Sequence, residues 1–122
     1  PKIAMLLKAK KSEEARKFAE HLIDHAAKDD DSGTLQSVSA ALRSPGAGGD
    51  KQLLGLSLKA AEAMLKIAGE KDAVALYFVA EAQFANGNKA KAKEYGDKAL
   101  AAADNPGIKA QLEKLTKKYS GE

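Results

Sequence analysis

Small residues recur at helical spacing on both sides of an Asn-Gly-Asn break in residues 80–100, AEAQFANGNKAKAKEYGDKAL. Ala80 precedes the break, and Ala92 and Ala99 follow it. Asparagine and glycine tolerate the left-handed backbone angles that end a helix, so the break predicts a tight turn. Antiparallel helices pack about 8–10 Å apart, and small contact residues allow the close end of that range. We therefore predict a closely packed helical hairpin.

Apolar residues recur at spacings of three and four along the rest of the chain, which is the pattern of helices with one buried face. Breaks and capping residues separate these stripes, with Asp72 as one cap and Asn105 before Pro106 as another. The stripe of the last helix consists of Ile108, Leu112, Leu115 and Tyr119. No stretch alternates apolar and polar residues with a β-branched bias. The patterns predict an all-α fold of stacked antiparallel helical hairpins, with six or seven helices and a C-terminal capping helix.

The composition argues against several classes of protein. The 122 residues contain no cysteine, which excludes disulfides, thiol catalysis and cysteine metal sites. The net charge is only +3, from 20 basic and 17 acidic residues, and aromatic residues make up 5%. Nucleic-acid surfaces favour arginine and stacking aromatics, so a nucleic-acid partner is not expected. No apolar run approaches the roughly 20 residues of a membrane span, and the sequence assigns no compartment.

The beginning of the chain has the pattern of a helix already under way, IAMLLKAKK, after Pro1. We therefore expect residues 1–122 to form a single domain that is part of a longer or processed chain. Its predicted units are a partial first unit (1–30), a second unit with a long turn (31–69), a third unit (70–104) and a capping helix (105–122). Because such units bury their faces only against neighbours, we expect self-association or contact with a preceding domain through Ile3, Leu6 and Leu7.

Residues 75–106 resemble a tetratricopeptide repeat, a family of helical hairpins that stack with a period of about 34 residues. The positions that carry the resemblance are Leu76, Val79, Ala80, Gly87, Ala92 and Ala99. A weaker match includes Leu35, Val38, Ser39 and Leu42, with Ser57 and Ala61 on the partner helix. The resemblance implies a right-handed superhelix with a concave groove for a protein or peptide.

The resemblance also implies which residues would face that groove. By family position these are Gln36, Ala40 and Arg43 from the second unit, and Tyr77, Glu81, Phe84 and Ala85 from the third. Some members clamp a partner's terminal carboxylate with lysine and asparagine at such positions. Glu81 stands at one of them and would repel that carboxylate, so we expect an apolar peptide or a neighbouring domain instead. The alternative, that Tyr77 and Phe84 pack in the core, stays open.

Gly96 departs from the family pattern, which has a large residue late in the second helix. Glycine inside a helix costs about 1 kcal/mol relative to alanine. We expect an aromatic neighbour, Phe78 or Tyr119, to fill the space beside it; the alternative is a small cavity.

A second resemblance is to the C-terminal helical regions of some bacterial thioredoxin-fold (redoxin) proteins. The segments TLQSVSAALRSP and LSLKAAEAMLKIAGEKDAVALYFVAEAQFANGN are similar to those regions, although the tryptophan expected in the first of the helices is missing. This resemblance implies a redox domain in the same parent chain, and no redox chemistry in these residues.

Three motifs are candidates for a metal or phosphate site, and none fits. His21 and His25 share a helix face, but zinc needs at least three protein ligands. The segment DDDSG begins like a calcium loop, but Ala40 stands where the glutamate is required. PGAGGDKQ lacks the Gly-Lys-Ser/Thr ending of a phosphate loop. The sequence predicts no catalytic residue, no metal site and no cofactor.

The favoured function is therefore a non-enzymatic scaffold for protein–protein or domain–domain contacts. The second resemblance implies that it is accessory to a thioredoxin-like enzyme domain in the parent chain. The alternative is a nucleic-acid or anion-binding helical domain that uses lysine-rich faces. The lysines of those faces are Lys8, Lys10, Lys11 and Lys17, and Lys109, Lys114, Lys117 and Lys118. Interspersed Glu13, Glu14 and Glu113 make ordinary solvated faces the simpler interpretation.

Overall fold

The computed structural model describes residues 12–43 and 51–120, and this part of the chain is helical, without strands. Its six α-helices are α1 (Ser12–Lys28), α2 (Ser32–Leu42), α3 (Lys51–Ala68), α4 (Ala73–Ala85), α5 (Lys89–Ala102) and α6 (Pro106–Thr116). A short C-terminal 3₁₀ helix, Lys117–Ser120, follows α6 directly. The predicted all-α class is confirmed.

Side-chain caps set the beginnings of three helices. Asp31, Asp72 and Asn105 each accept a hydrogen bond from a backbone N–H of the following first turn, at 3.1, 2.9 and 2.8 Å. These bonds satisfy N–H groups that have no partner inside the helix. The caps predicted at Asp72 and Asn105 are confirmed. Between α4 and α5, Gly87 has a φ of 83°, which favours glycine and turns the chain back.

The α4–α5 hairpin has the close packing that the small residues predict. Ala80 of α4 packs near Ala92 of α5, and Leu76 packs near Ala99. Residues later in α4 therefore contact residues earlier in α5, so the two helices are antiparallel. Ala80, Ala92 and Ala99 have no exposed surface. The prediction that these alanines form the contact is confirmed.

The helices pack in the order of the chain. Each one contacts the next, α1 also contacts α3, and α2 also contacts α4. Between α3 and α4, the side chain of Asn86 donates a hydrogen bond of 2.9 Å to the carbonyl of Leu54, and Ala61 packs with Val79. These two contacts show that α3 and α4 are antiparallel. The right-handed superhelix and the boundaries of the predicted units stay predictions.

One detail of the predicted core differs from the structure. In α6, Ile108 and Leu115 are 43% and 38% exposed, so their predicted burial is wrong. The reason is that α6 packs mainly against α5 and the 3₁₀ helix, which cover only a narrow line of its surface.

Two sequence predictions fall outside the described residues. The apolar residues expected to mediate self-association, Ile3, Leu6 and Leu7, lie in the segment before residue 12. Most of the long turn of the predicted second unit lies in residues 44–50.

Candidate functional site

The residues predicted to face a groove lie on α2 and α4, which contact each other. Their spacings of three and four place each set on one helix face. The structure joins the sets through Arg43, whose Nη1 lies 3.8 Å from Oε1 of Glu81. Both side chains are largely buried, at 17% and 10% exposure. Arg43 and Glu81 therefore connect the two faces into one surface.

The remaining predicted residues lie around this ion pair or along its helices. Tyr77, Phe84 and Ala85 of α4 are half-buried, while Gln36 and Ala40 of α2 are exposed. Tyr77 interacts with Glu81, and Phe84 stacks against a residue of the 3₁₀ helix. Both residues are half-buried and pack against clusters of the hydrophobic core, so they lie at its edge.

The carboxylate of Glu81 is the centre of a group of side chains that come from three parts of the chain. Its Oε1 lies 2.9 Å from Nζ of Lys118 as well as near Arg43, and its Oε2 accepts a hydrogen bond from the hydroxyl of Tyr119. We call Arg43, Tyr77, Glu81, Phe84, Lys118 and Tyr119 the Glu81 cluster. Two cations surround one anion, so the cluster has a net charge of +1. The negative charge of Glu81 is therefore compensated within the cluster, and the predicted repulsion of a partner's carboxylate stays a prediction.

Sequence reasoning missed the contribution of Lys118 and Tyr119 to this site. Tyr119 is 2% exposed and its ring lies 5.3 Å from that of Phe84. One signal was present in the sequence: Gly96 leaves space beside α5, and a Cβ added there would lie 3.0 Å from ring atoms of Tyr119. The expectation that an aromatic residue fills this space is confirmed for Tyr119. Nothing in the sequence indicated that its hydroxyl also reaches Glu81, 38 residues away.

Burial and the charge of Glu81 raise the pKa values of the two tyrosine hydroxyls in the cluster, so these groups stay protonated over a wider pH range. Desolvation, followed by the nearby Glu81 carboxylate, raises the pKa of Tyr77 from 10.0 to about 12. Burial and the hydrogen bond to Glu81 also raise the pKa of Tyr119 above its ordinary value. Both hydroxyls are therefore hydrogen-bond donors across the neutral pH range.

One donor of Arg43 is left unpaired by the described part of the chain. Its Nε is buried and has no hydrogen-bond partner among the described residues. Its guanidinium lies over the ring of Phe78, 5.4 Å from the ring centre, and Phe78 in turn meets Tyr77 edge to face. A buried donor without an acceptor costs about 1–3 kcal/mol, so the unpaired Nε makes this part of the fold less stable than a fully paired arrangement would be.

The other candidate sites do not gather into a comparable arrangement. The rings of His21 and His25 are 4.4 Å apart on an exposed face of α1. Within residues 12–43 and 51–120, no group of three or more histidine, aspartate or glutamate side chains is arranged to hold a metal ion. In the same residues, no helix is both long and apolar enough to cross a membrane.

The lysine-rich faces of the alternative function are only partly described. Lys8, Lys10 and Lys11 lie before the described residues. Lys17 is 4.0 Å from Glu13, and Lys118 belongs to the Glu81 cluster. These pairs lower the positive charge that the two faces present to an anion.

Comparison with models of protein families, with curated proteins and with solved structures finds no match to this chain. The resemblances to tetratricopeptide repeats and to redoxin helical regions therefore stay predictions from residue patterns.

Proposed function

We propose that this chain is a non-catalytic interaction scaffold that holds a protein segment or a neighbouring domain on the joined faces of α2 and α4. The observation that carries the proposal is the Arg43–Glu81 ion pair, which links the two helix faces beside half-buried aromatic rings. Arginine and tyrosine are enriched where proteins bind one another, since each combines a large contact area with hydrogen-bond donors.

The surface offers two kinds of contact to a partner. Tyr77 and Phe84 supply partly exposed apolar area, and Arg43 supplies a positive charge on a side chain that is 17% exposed. Exposed Ala40 is small and allows a chain to approach α2 closely. The fitting occupant is therefore a segment with an apolar side chain next to a carbonyl or carboxylate group.

The stacking of the helices supports the finer part of this proposal. Contacts between helices two apart, α1 with α3 and α2 with α4, are expected when helical hairpins stack as repeats. On this proposal the hairpins follow the tetratricopeptide-repeat arrangement, and the neighbouring domain is a thioredoxin-like domain of the parent chain. The lysine-face alternative has less support, because Lys17 and Lys118 are both paired with glutamate.

The proposal is tested by selecting binders to the complete 122-residue chain from a random peptide library and titrating the best peptide by calorimetry. We expect Arg43→Gln to weaken binding about tenfold, which corresponds to about 1.4 kcal/mol. Arg43→Lys should recover little, since lysine lacks the planar fork of donors. The matched control is Lys98→Gln on α5, which removes the same charge from an exposed pair with Glu94.

Two results would overturn the scaffold proposal. One is a library selection that yields no specific peptide on the folded chain. The other is a selected peptide whose affinity falls equally in Arg43→Gln and Lys98→Gln, because that would indicate general attraction to positive charge.

A further inference from the structure

The C-terminal 3₁₀ helix is seated in a slot on the α4–α5 hairpin. The slot is formed by Ala80, Glu81 and Phe84 of α4 and by Ala92 and Gly96 of α5. Its occupant is the ring of Tyr119, which is 2% exposed.

The slot can hold a flat aromatic ring because one of its residues, Gly96, has no side chain. A Cβ on Gly96 would lie 3.0 Å from both Cδ2 and Cε2 of Tyr119, closer than ordinary van der Waals contact. Ala80 and Ala92 are fully buried beside the ring, and Phe84 covers it at a centroid distance of 5.3 Å. The slot therefore accepts an aromatic ring closely.

The chemistry at the slot's rim selects two adjacent residues. The carboxylate of Glu81 accepts from the hydroxyl of Tyr119 with one oxygen and from Nζ of Lys118, at 2.9 Å, with the other. The ammonium of Lys118 also lies 5.3 Å from the centre of the Phe84 ring, a favourable cation–π distance. An aromatic residue with a hydroxyl, directly preceded by a cation, satisfies every one of these groups.

The segment that holds this occupant in place is lightly packed. In α6, which connects the hairpin to the 3₁₀ helix, the buried residues are Leu112 and Thr116, while Ile108 and Leu115 remain substantially exposed. Segments with few buried apolar contacts open at a lower free energy than the rest of a fold. We therefore expect α6 and the 3₁₀ helix to open at a lower free energy than the α4–α5 hairpin.

We propose that the slot is a recognition site for a lysine–tyrosine pair, and that Lys118 and Tyr119 are its internal occupant, which a protein partner presenting the same pair displaces. The inference rests on the proposed scaffold function and specifies the chemistry of the partner. Displacement also exchanges one cation beside Glu81 for another, so the charge balance of the Glu81 cluster is preserved in the complex.

The test uses the full chain and a labelled synthetic peptide, EKLTKKYSGE, which corresponds to residues 113–122. In the wild-type chain the tethered segment competes at an effective concentration in the millimolar range, so added peptide finds the slot filled. In Tyr119→Ala the slot is empty. We expect the peptide to bind Tyr119→Ala at least tenfold more tightly than the wild type, measured by fluorescence anisotropy with circular dichroism as the check on folding.

Two further variants make the result specific. Adding Glu81→Gln to Tyr119→Ala should weaken peptide binding at least tenfold, and a peptide whose tyrosine is replaced by alanine should not bind. If Tyr119→Ala does not fold, Lys118→Gln with Tyr119→Phe keeps the ring and weakens only the polar contacts. Its matched control is Lys117→Gln, which removes the same charge from an exposed neighbour and should leave peptide binding at the wild-type level.

Equal binding of the peptide to the wild-type and folded variant chains would overturn the inference, as would binding that does not depend on Glu81. These outcomes are distinguishable from failure of the scaffold proposal. The probe here is the chain's own segment and the readout depends on Glu81 and Tyr119, whereas the library selection depends on Arg43.

Discussion

The hydroxyl of Ser57 on α3 donates a hydrogen bond of 2.7 Å to the backbone carbonyl of Ser39 on α2, and the hydroxyl of Ser39 returns one of 3.0 Å to the carbonyl of Ser57. Both residues are fully buried. Side chains this small allow the two helix backbones to come within direct reach of each other's serine hydroxyls. The serine pair therefore defines a close approach between α2 and α3.

Substitutions of Ser57 should separate the hydrogen bond from the steric contribution. Ser57→Ala should lower the free energy of unfolding by about 1 kcal/mol, because one buried hydrogen bond is lost. Ser57→Leu should cost about 1–3 kcal/mol more, since the added atoms meet the backbone of α2. Urea denaturation measures both. The exposed Ser37→Ala should stay within about 0.5 kcal/mol of the wild type, and a Ser57→Leu chain as stable as Ser57→Ala would contradict close packing.

Neutralising Glu81 should destabilise the fold more than neutralising an exposed glutamate. Glu81→Gln leaves the largely buried guanidinium of Arg43 without its counter-ion, and we expect a loss of about 2–3 kcal/mol. This expected loss of stability is smaller than for a fully buried ion pair, because Lys118, the second cation beside Glu81, is 44% exposed. Glu94→Gln, which removes an exposed pair with Lys98, should change stability by less than about 0.5 kcal/mol. Equal losses in the two variants, measured by chemical denaturation, would show that Glu81 has no special role.

Two helical glycines should respond differently to substitution. Gly55 of α3 is exposed with open space around its Cβ position, so Gly55→Ala should stabilise the chain by about 1 kcal/mol through helix propensity. Gly96→Ala should gain less, because the ring of Tyr119 must shift, and Gly96→Leu should cost about 1–3 kcal/mol by overpacking. Thermal denaturation of the three variants gives the order. A Gly96→Leu chain that melts at or above the wild-type temperature would contradict close contact with Tyr119.

Alkaline pH should destabilise the chain through Tyr77. Burial and the charge of Glu81 raise the pKa of Tyr77 from 10.0 to about 12 in the folded state. The folded state therefore favours the protonated hydroxyl, and this contribution is complete below about pH 10 and is lost as the pH rises towards 12. The free energy of unfolding, measured in urea across this range, should fall less steeply in Tyr77→Phe. Parallel declines in the two chains would refute the role of Tyr77.

Much of the helical framework could be predicted because the responsible interactions are local. Asp72 and Asn105 cap the first turns that follow them in the chain, and the turn at Gly87 depends on a few adjacent residues. The small residues Ala80, Ala92 and Ala99 indicated a close helix contact because helical periodicity puts them on the facing sides of one hairpin. These features need only short segments and a short connection.

The candidate site was predictable only in part. Helical spacing places Tyr77, Glu81 and Phe84 on one face of α4, and the repeat resemblance adds Arg43. Periodicity does not indicate which distant side chain neutralises a charge. The missing partners, Lys118 and Tyr119, are separated from Glu81 by 37 and 38 residues.

The sequence by itself determined which segments become helices, where most of them end and which small residues meet inside the α4–α5 hairpin. Tertiary structure alone decided that the C-terminal segment crosses this hairpin, inserts Tyr119 over Gly96 and neutralises Glu81. It also left Ile108 and Leu115 partly exposed on a helix whose pattern suggested burial. The physical reason is that periodicity specifies the apolar side of a helix, whereas the direction in which one helix leaves another depends on packing across the whole assembly.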